Sequence, residues 1–365
     1  MMYPNDPLYF HRADYARKLL NSLHDGITHA FTLFAPRRMG KTQFLLRDVA
    51  PLAEDMGFNV FYFSFMDDEP DTVVSRFQAA LHRFAADNSK IKTFIASIKK
   101  LDIAGSGLER DIHSTAPPVS TLIGHLATGK RQTLLLLDEV QELAHIKGTS
   151  GLIRALRTGL DVNQQQVKTI FTGSSTNALH AMFNDSKAPF FHFAHALDFP
   201  VFGREFTDFL ATVYAARTGR ELDGAAFYAV FERLNKTPMY MRAVTQDMIV
   251  NPALTLEEAM AYRMAQMQTQ AGYWHQWAGL KPLERAILAD IANGGAAPYS
   301  HERRGHYAVL LGVNEVGTSQ VQSSIKRLAR QDLLTRDTGG NLQINSPALQ
   351  TWLLGLAQKS ESSAG

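Results

Sequence analysis

The chain has 365 residues, 45% of them hydrophobic and 20% charged, which is enough to bury a sizeable core and too apolar for a disordered polypeptide. Its 37 Lys+Arg against 35 Asp+Glu leave a net charge of +2, an argument against a surface built to coat a polyanion, though a local basic face stays open. There is no cysteine, so disulfide frameworks, thiolate metal sites, iron–sulfur clusters and thiol catalysis are excluded.

Met1–Phe10 is short, proline-containing and polar and does not resemble a signal peptide. No apolar run approaches the ~20 residues that span a bilayer, so a soluble, cytoplasmic chain without membrane contact is expected. Tyr15, Leu19, Leu20 and Leu23 recur at helical spacing over 12–24, and Asp25-Gly26 closes the run. His29–Phe34 suits a buried strand, a helix is expected from about Lys41 to Met56, and Asn59–Phe65 reads as a second strand. Val73, Val74, Phe77, Ala80, Leu81 and Phe84 predict a helix over 72–86, and Ile91–Leu101 reads as a further helix. Asp102–Pro118, with two glycines and two prolines, reads as a loop. A helix near 120–128 precedes Thr133–Leu137, the most hydrophobic strand candidate, and Val167–Thr172 and Ala196–Val201 follow. Apolar strands separated by helices predict an α/β domain with a parallel sheet covered on both faces.

From Phe202 to Gly279 helical signals dominate. Beyond Pro282 three helices are expected at 283–293, 301–311 and 318–330, then a hairpin over 332–344 with Gly339-Gly340-Asn341 at its tip. Lys359–Gly365 reads as a solvated, disordered tail. The expected division is a core over 1–201, a helical region over 202–280, a terminal module over 281–358 and the tail over 359–365.

Ala35-Pro36-Arg37-Arg38-Met39-Gly40-Lys41-Thr42 fits a P-loop in which alanine replaces the first glycine, a change that a negative φ at Ala35 would tolerate. It lies between a strand and a helix, as its chemistry requires. Loop N–H groups converge on phosphate oxygens at a helix N-terminus, where the dipole favours negative charge. Lys41 would bridge the β- and γ-phosphates, Thr42 would ligate Mg²⁺, and Gly40 lets the backbone pass close to the phosphates, with Gln43 closing the binding segment. Leu134–Leu137 followed by Asp138-Glu139 has the form of a Walker B motif. Asp138 would hold the Mg²⁺ shell and Glu139 would polarise the attacking water as a general base. The two motifs together make ATP and Mg²⁺ the expected ligands and a P-loop NTPase αβα sandwich the expected core.

With these motifs in this order the chain resembles the archaeal-type, MNS-clade P-loop ATPases, a signal-transduction branch close to AAA+. The resemblance rests on A-P-R-R-M-G-K-T, L-L-L-L-D-E-V-Q-E-L, I-F-T-G-S-S, L-N-K-T-P-M-Y-M and I-N-S-P-A-L-Q-T-W-L, and it covers nearly the whole chain. It implies that 202–280 is a helical lid and that Pro238 packs near the adenine. It also implies that a polar residue ending the third strand, Ser174 or Ser175, senses the γ-phosphate; a plain Gly-Ser turn is the other reading of those serines. The family's G-x-P glycine is Lys236 here, and its sensor-2 arginine is Met239, with Arg242 one helical turn later. The window that usually supplies an arginine finger, Thr176–His195, holds no arginine, only Lys187, while Arg154, Arg157 and Arg204 are near in sequence. Without a trans arginine, a slow, switch-like ATPase is implied.

Three short helices and a Gly-tipped hairpin have the pattern of a C-terminal winged helix. Thr318 is the expected cap of its third helix and Val321, Ile325 and Leu328 its buried stripe. Ser319, Gln320, Gln322, Ser323, Lys326 and Arg327 would be exposed to double-stranded DNA, with Arg303 and Arg304 adding phosphate contacts. Residues 282–365 carry eight Lys+Arg and seven Asp+Glu, a weak charge for a DNA reader, so docking of a protein partner or self-association is the competing reading. Asp67-Asp68-Glu69 could approach the Mg²⁺ site but reads first as an exposed acidic turn. The aromatic runs Phe190–Phe193 and Tyr273–Trp277 read as core packing. The expected function is a Mg²⁺-dependent ATPase acting as a nucleotide-driven switch coupled to a winged helix. The alternatives are a DNA-binding regulator or defence component with vestigial hydrolysis, and a protein-docking scaffold.

Overall fold

The computed structural model describes residues 6–66, 72–86, 93–96, 117–144, 146, 148–173, 182–183, 188–270, 273–295, 297–331, 333–336 and 340–362. The first half is organised by strands that are apolar on both sides. β1 (Ala30–Phe34), β2 (Asn59–Ser64), β3 (Thr93–Ala96), β4 (Thr133–Asp138), β5 (Val167–Gly173) and β6 (His195–Asp198) form one sheet in the order β3-β2-β4-β5-β1-β6, with every pairing parallel. Strand alternation sorts the side chains between two faces. Phe61, Phe63, Leu135, Leu137 and Phe171 pack with α4 (Val73–Ala86), α5 (Val119–Ala127) and α6 (Ser150–Val162). Val60, Tyr62, Leu134, Leu136 and Ile170 pack on the other side with α1 (Ala13–His24) and the helix that follows the 35–42 loop.

That helix starts as α2 (Lys41–Phe44), widens through a π-helical segment, Leu45–Val49, and continues as α3 (Ala50–Asp55). Pro51 accounts for the widening. It has no N–H to donate, and in a regular helix its ring would meet the carbonyl of Arg47.

Two sequence readings change. Ile91–Leu101 contains β3 rather than a helix, and Val60 to Phe63 of β2 pair with Thr93 to Ala96. The free edge of β2 overrides a helix-like spacing that is too short to be decisive. The last strand is Ala196–Val201 in the sequence reading and stops at Asp198 in the structure. The expected loop 102–118 lies outside the described residues except for Pro117 and Pro118, as does Asp67-Asp68-Glu69.

The second half is helical: α7 (Arg204–Thr218), α8 (Gly224–Arg233), α9 (Pro238–Val250), α10 (Leu256–Gln270) and α11 (Tyr273–Gly279). α12 (Pro282–Ala292), α13 (His301–Leu311) and α14 (Thr318–Arg330) follow, then an antiparallel pair, β7 (Leu334–Arg336) and β8 (Leu342–Ile344), and finally α15 (Pro347–Ser362). The cap of α14 is Gly317, not Thr318, and Gln320 Oε1 accepts from the Gly317 N–H at 2.8 Å. The residues from Lys359, expected to be a disordered tail, are helical as far as Ser362. One apolar cluster runs from Phe202 and Phe206 through Phe231, Met241, Leu288 and Ile325 to Trp352 and Leu353. Trp352 meets Tyr273, Trp274 and Trp277, and Phe190 and Phe193 pack on Phe171, so both aromatic runs serve packing. Among the described residues no helix is long and apolar enough to cross a membrane.

Candidate nucleotide-binding site

The C-terminal ends of β1, β5 and β4 lie side by side, with Phe34 opposite Gly173 and Leu137 opposite Phe171. Two loops therefore leave the sheet at one edge, where open α/β sheets form a crevice. The first joins β1 to α2. Its Arg38 and Gly40 have φ of 71° and 91°, a left-handed turn that wraps the chain around a concavity suited to an anion. Ala35 is not among the residues of positive φ, so its methyl is accommodated where the motif has glycine.

Lys41 opens α2 and is buried, its Nζ donating to the carbonyls of Ala35 at 2.7 Å and Pro36 at 3.0 Å. Burial lowers its pKa to about 8 against the pull of Glu139 and Asp138, which favour the charged form, while Arg37 lowers it further. A buried ammonium held by two neutral carbonyls is electrostatically incomplete, and an anion in the concavity would complete it.

Asp138 ends β4 and is 1% exposed. Thr42 Oγ1 donates to its Oδ2 at 2.6 Å, Tyr62 OH donates to the same oxygen at 3.0 Å, and Thr172 Oγ1 donates to Oδ1. Burial raises the Asp138 pKa, the hydroxyls of Thr172, Thr42 and Tyr62 pull it down, and neighbouring Glu139 pushes it up. Thr42 and Asp138 thus present two hard oxygens side by side, a donor set that fits Mg²⁺. Glu139, at φ 54°, turns out of the strand onto the cavity wall, where Gln141 Nε2 donates to its Oε2 at 2.6 Å.

Sequence motifs identified Lys41, Thr42, Asp138 and Glu139 but not Tyr62 or Thr172. Alternation could have found them. Leu136, Ile170 and Tyr62 face the α2 side of the sheet, and by the same parity so do Asp138 and Thr172. Ser174 and Ser175 lie outside the described residues.

A cavity of about 650 Å³ opens on Lys41, Thr42 and Glu139. Residues 37–43 form one wall, including Arg37, Arg38, Met39 and Gln43. Pro238, Met239, Arg242, Ala243 and Gln246 of α9 form the facing wall. Asn235 and Lys236, just before α9, have φ of 51° and 48°, so Lys236 adopts a left-handed backbone that a glycine would take without strain.

The third wall, from the N-terminal segment, escaped sequence reading. Tyr9 OH, His11 Nδ1 and the Arg12 N–H all engage buried Asp48, at 2.7, 2.6 and 3.1 Å. Arg12 is buried, its guanidinium 3.5 Å from the Phe202 ring centre and 4.4 Å from that of Phe199, with Nη2 donating to the Met39 carbonyl at 3.3 Å. Burial lowers its pKa to about 10, opposed by Tyr9, Asp48 and Tyr15.

The terminal module disposes of its charges differently. Ser319, Gln320, Gln322, Ser323 and Lys326 are exposed on α14. Arg327 is not free for a ligand, because its Nε donates to Glu284 Oε1 at 2.5 Å. Arg303 donates to Asp290 at 2.8 Å, and Arg304 to the carbonyls of Tyr299 and Val316. In the core, Arg157 pairs with Asp161 at 2.7 Å, Arg204 lies 3.8 Å from Asp208, and Arg154 is exposed on α6.

No protein-family model matches the sequence, and no curated protein does. Solved structures match its fold. The Walker-type ATPase of Pyrococcus abyssi superposes with a TM-score of 0.65 at 17% identity, covering 94% of this chain and 96% of that one. The ORC2 protein of Aeropyrum pernix, in its ADP form, gives a TM-score of 0.54 at 15% identity, covering 99% and 96%. The fold is the P-loop NTPase α/β fold followed by a helical C-terminal region.

Proposed function

We propose that this protein is an ATPase that binds ATP with Mg²⁺ and turns it over slowly, as a nucleotide-driven switch. The observation that carries the reading is the convergence of Thr42, Tyr62 and Thr172 on Asp138 beside the buried Lys41. Such a cluster costs stability and adds nothing to packing, which is the usual mark of a site kept for chemistry. Lys41 and the 35–42 backbone bind the phosphates, while Thr42 and Asp138 hold the metal. Mg²⁺ would supply charge neutralisation across the β- and γ-phosphates. Glu139 accepts the proton of the attacking water, and Gln141 fixes its carboxylate. Thr172 takes the γ-phosphate-sensing role at the end of β5 that the sequence reading gave to Ser174 or Ser175, and Pro238 packs near the base. Lys41→Ala should abolish ATP binding, and Glu139→Gln should bind ATP without turning it over. Unchanged phosphate release in both variants would overturn the assignment.

For residues 281–358 we propose a winged helix that contacts duplex DNA through Ser319, Gln320, Gln322, Ser323 and Lys326. Support comes from the exposure of these side chains on the third helix and from a hollow of about 320 Å³ bounded by Gln322, Lys326 and Arg336. Docking of a protein or of a second copy is the competing reading. Duplex binding at physiological salt separates the two.

A further inference from the structure

The α9 wall of the cavity carries one cation. Met239, Arg242, Ala243 and Gln246 recur at i, i+3, i+4 and i+7, so they share a helix face, and all four line the cavity. Arg242 is three-quarters buried, and its Nη2 donates to Asp6 Oδ2 at 2.6 Å. Its Nε is buried and has no hydrogen-bond partner among the described residues. The side chain lines the cavity that also holds Lys41, Thr42 and Glu139.

Asp6 is an unexpected neighbour there. A pocket that gathers Arg12, Arg37, Arg38 and Lys41 is suited to a polyanion, yet Asp6 lines it with a carboxylate. The carboxylate is held in place by its own turn: Oδ1 accepts from the Leu8 N–H at 3.1 Å, and the Asp6 carbonyl accepts from the Tyr9 N–H at 3.0 Å. The rest of the segment is clamped to Asp48 through Tyr9, His11 and Arg12. Arg47 Nη1, from the π-helical segment, lies 3.7 Å from Asp6 Oδ2. One carboxylate thus bridges an arginine of the core and an arginine of α9.

We infer that Asp6 is an internal competitor for Arg242: it occupies the guanidinium that otherwise reads the terminal phosphate of the nucleotide, so that ATP must exchange with Asp6 to engage α9. The inference rests on the ATPase reading above. A carboxylate and a phosphate are equivalent partners for an arginine fork, so the exchange trades one charge-assisted pair for another and stays reversible. The third phosphate decides it. ADP presents one phosphate fewer and leaves the Asp6–Arg242 pair intact, whereas ATP breaks it and frees α9 from the N-terminal segment. Nucleotide state thereby becomes a difference in what holds α9, the differential contact that a switch needs.

The test is calorimetric titration of the full chain with ATP and with ADP, each with Mg²⁺, for wild type, Asp6→Asn, Arg242→Ala and the double variant. Arg242→Ala should weaken ATP by about tenfold, the size of a lost charge-assisted contact, and leave ADP within about twofold. Asp6→Asn should tighten ATP by about three- to tenfold and leave ADP unchanged, and the gain should vanish in the Arg242→Ala background. Thermal unfolding without nucleotide checks the same contact, since Asp6→Asn and Arg242→Ala should each lower the midpoint and the double variant should lower it no further. A gain from Asp6→Asn that survives loss of Arg242 would mean simple repulsion of the ligand and would overturn the inference. Unchanged ATP affinity in Asp6→Asn would also overturn it. Wild-type protein that binds neither nucleotide would instead refute the ATPase reading.

Discussion

The sheet edge and the terminal module treat buried charge in opposite ways. In α12–α14 the half-buried arginines close on protein partners: Arg327 on Glu284, Arg303 on Asp290, Arg304 on backbone carbonyls, and Arg285 on the carbonyls of Trp277 and Ala278 just before the module. At the C-terminal ends of the strands Lys41, Thr42 and Glu139 border a cavity. Among the described residues the hydrogen-bond acceptors of Lys41 are two neutral carbonyls, and three hydroxyls crowd one carboxylate. Closed pairs hold a fold together, and open ones await a ligand. The contrast separates structural from functional charge within one chain.

The largest effects should come from breaking the open side. Lys41→Met should remove nucleotide binding altogether yet raise the unfolding midpoint, because a buried ammonium is exchanged for an apolar chain of similar length. The pH dependence carries the same signature. Lys41 titrates near 8 in the folded protein and near 10.5 when unfolded, so between those values the unfolded state binds more protons and stability rises with pH. Urea unfolding across that window should show this slope in wild type and lose it in Lys41→Met.

Thr172→Val comes next. It removes a donor from Asp138, pushes that carboxyl further up, and should cut kcat by about ten- to a hundredfold, with a stability change of only about 1 kcal/mol. Steady-state kinetics and denaturation on the same variant separate the two effects.

On the closed side, Glu284→Ala should cost about 1–2 kcal/mol of stability and leave ATP affinity untouched, since it strands Arg327 far from the cavity. The smallest effect belongs to the exposed face. If α14 meets duplex DNA, Lys326→Ala should weaken binding a few-fold and reduce the salt slope by about one. A large loss of ATP affinity in either variant would erase the distinction between the two regions.

The parts of this molecule that sequence made legible are those whose information is local. β1, β2, β4 and β5 are buried, mainly apolar runs, and Lys41, Thr42, Asp138 and Glu139 belong to short motifs in or adjoining them. β3 was misread because Ile91, Phe94, Ile95 and Ile98 fit helical spacing, while the open edge of β2 that recruits the segment is a tertiary fact. Tyr62 and Thr172 meet Asp138 across 76 and 34 residues, and Asp6 meets Arg242 across 236. Strand parity puts Tyr62 and Thr172 on the Asp138 side of the sheet, but which residues meet at such separations is a tertiary fact, and Asp6 and Arg242 share no pattern at all. Arg327 shows the converse limit, for its position on α14 suggests an outward role, and Glu284, two helices earlier in the module, turns it inward.

In a nucleotide-driven switch, the apolar cluster that spans Phe202 to Leu353 would give the helical half of the chain the mechanics of a lever. Close-packed side chains pass displacement on rather than absorb it, so a tilt of α9 at the cavity carries α14 and the β7–β8 hairpin with it. The fulcrum of such a motion would be residues 199–203, where β6 hands the chain to α7 and the Arg12 guanidinium rests on the rings of Phe199 and Phe202. If ATP acts there as proposed, a small stroke at the phosphates would arrive at the distal helices as an angle, magnified by the length of the packed arm.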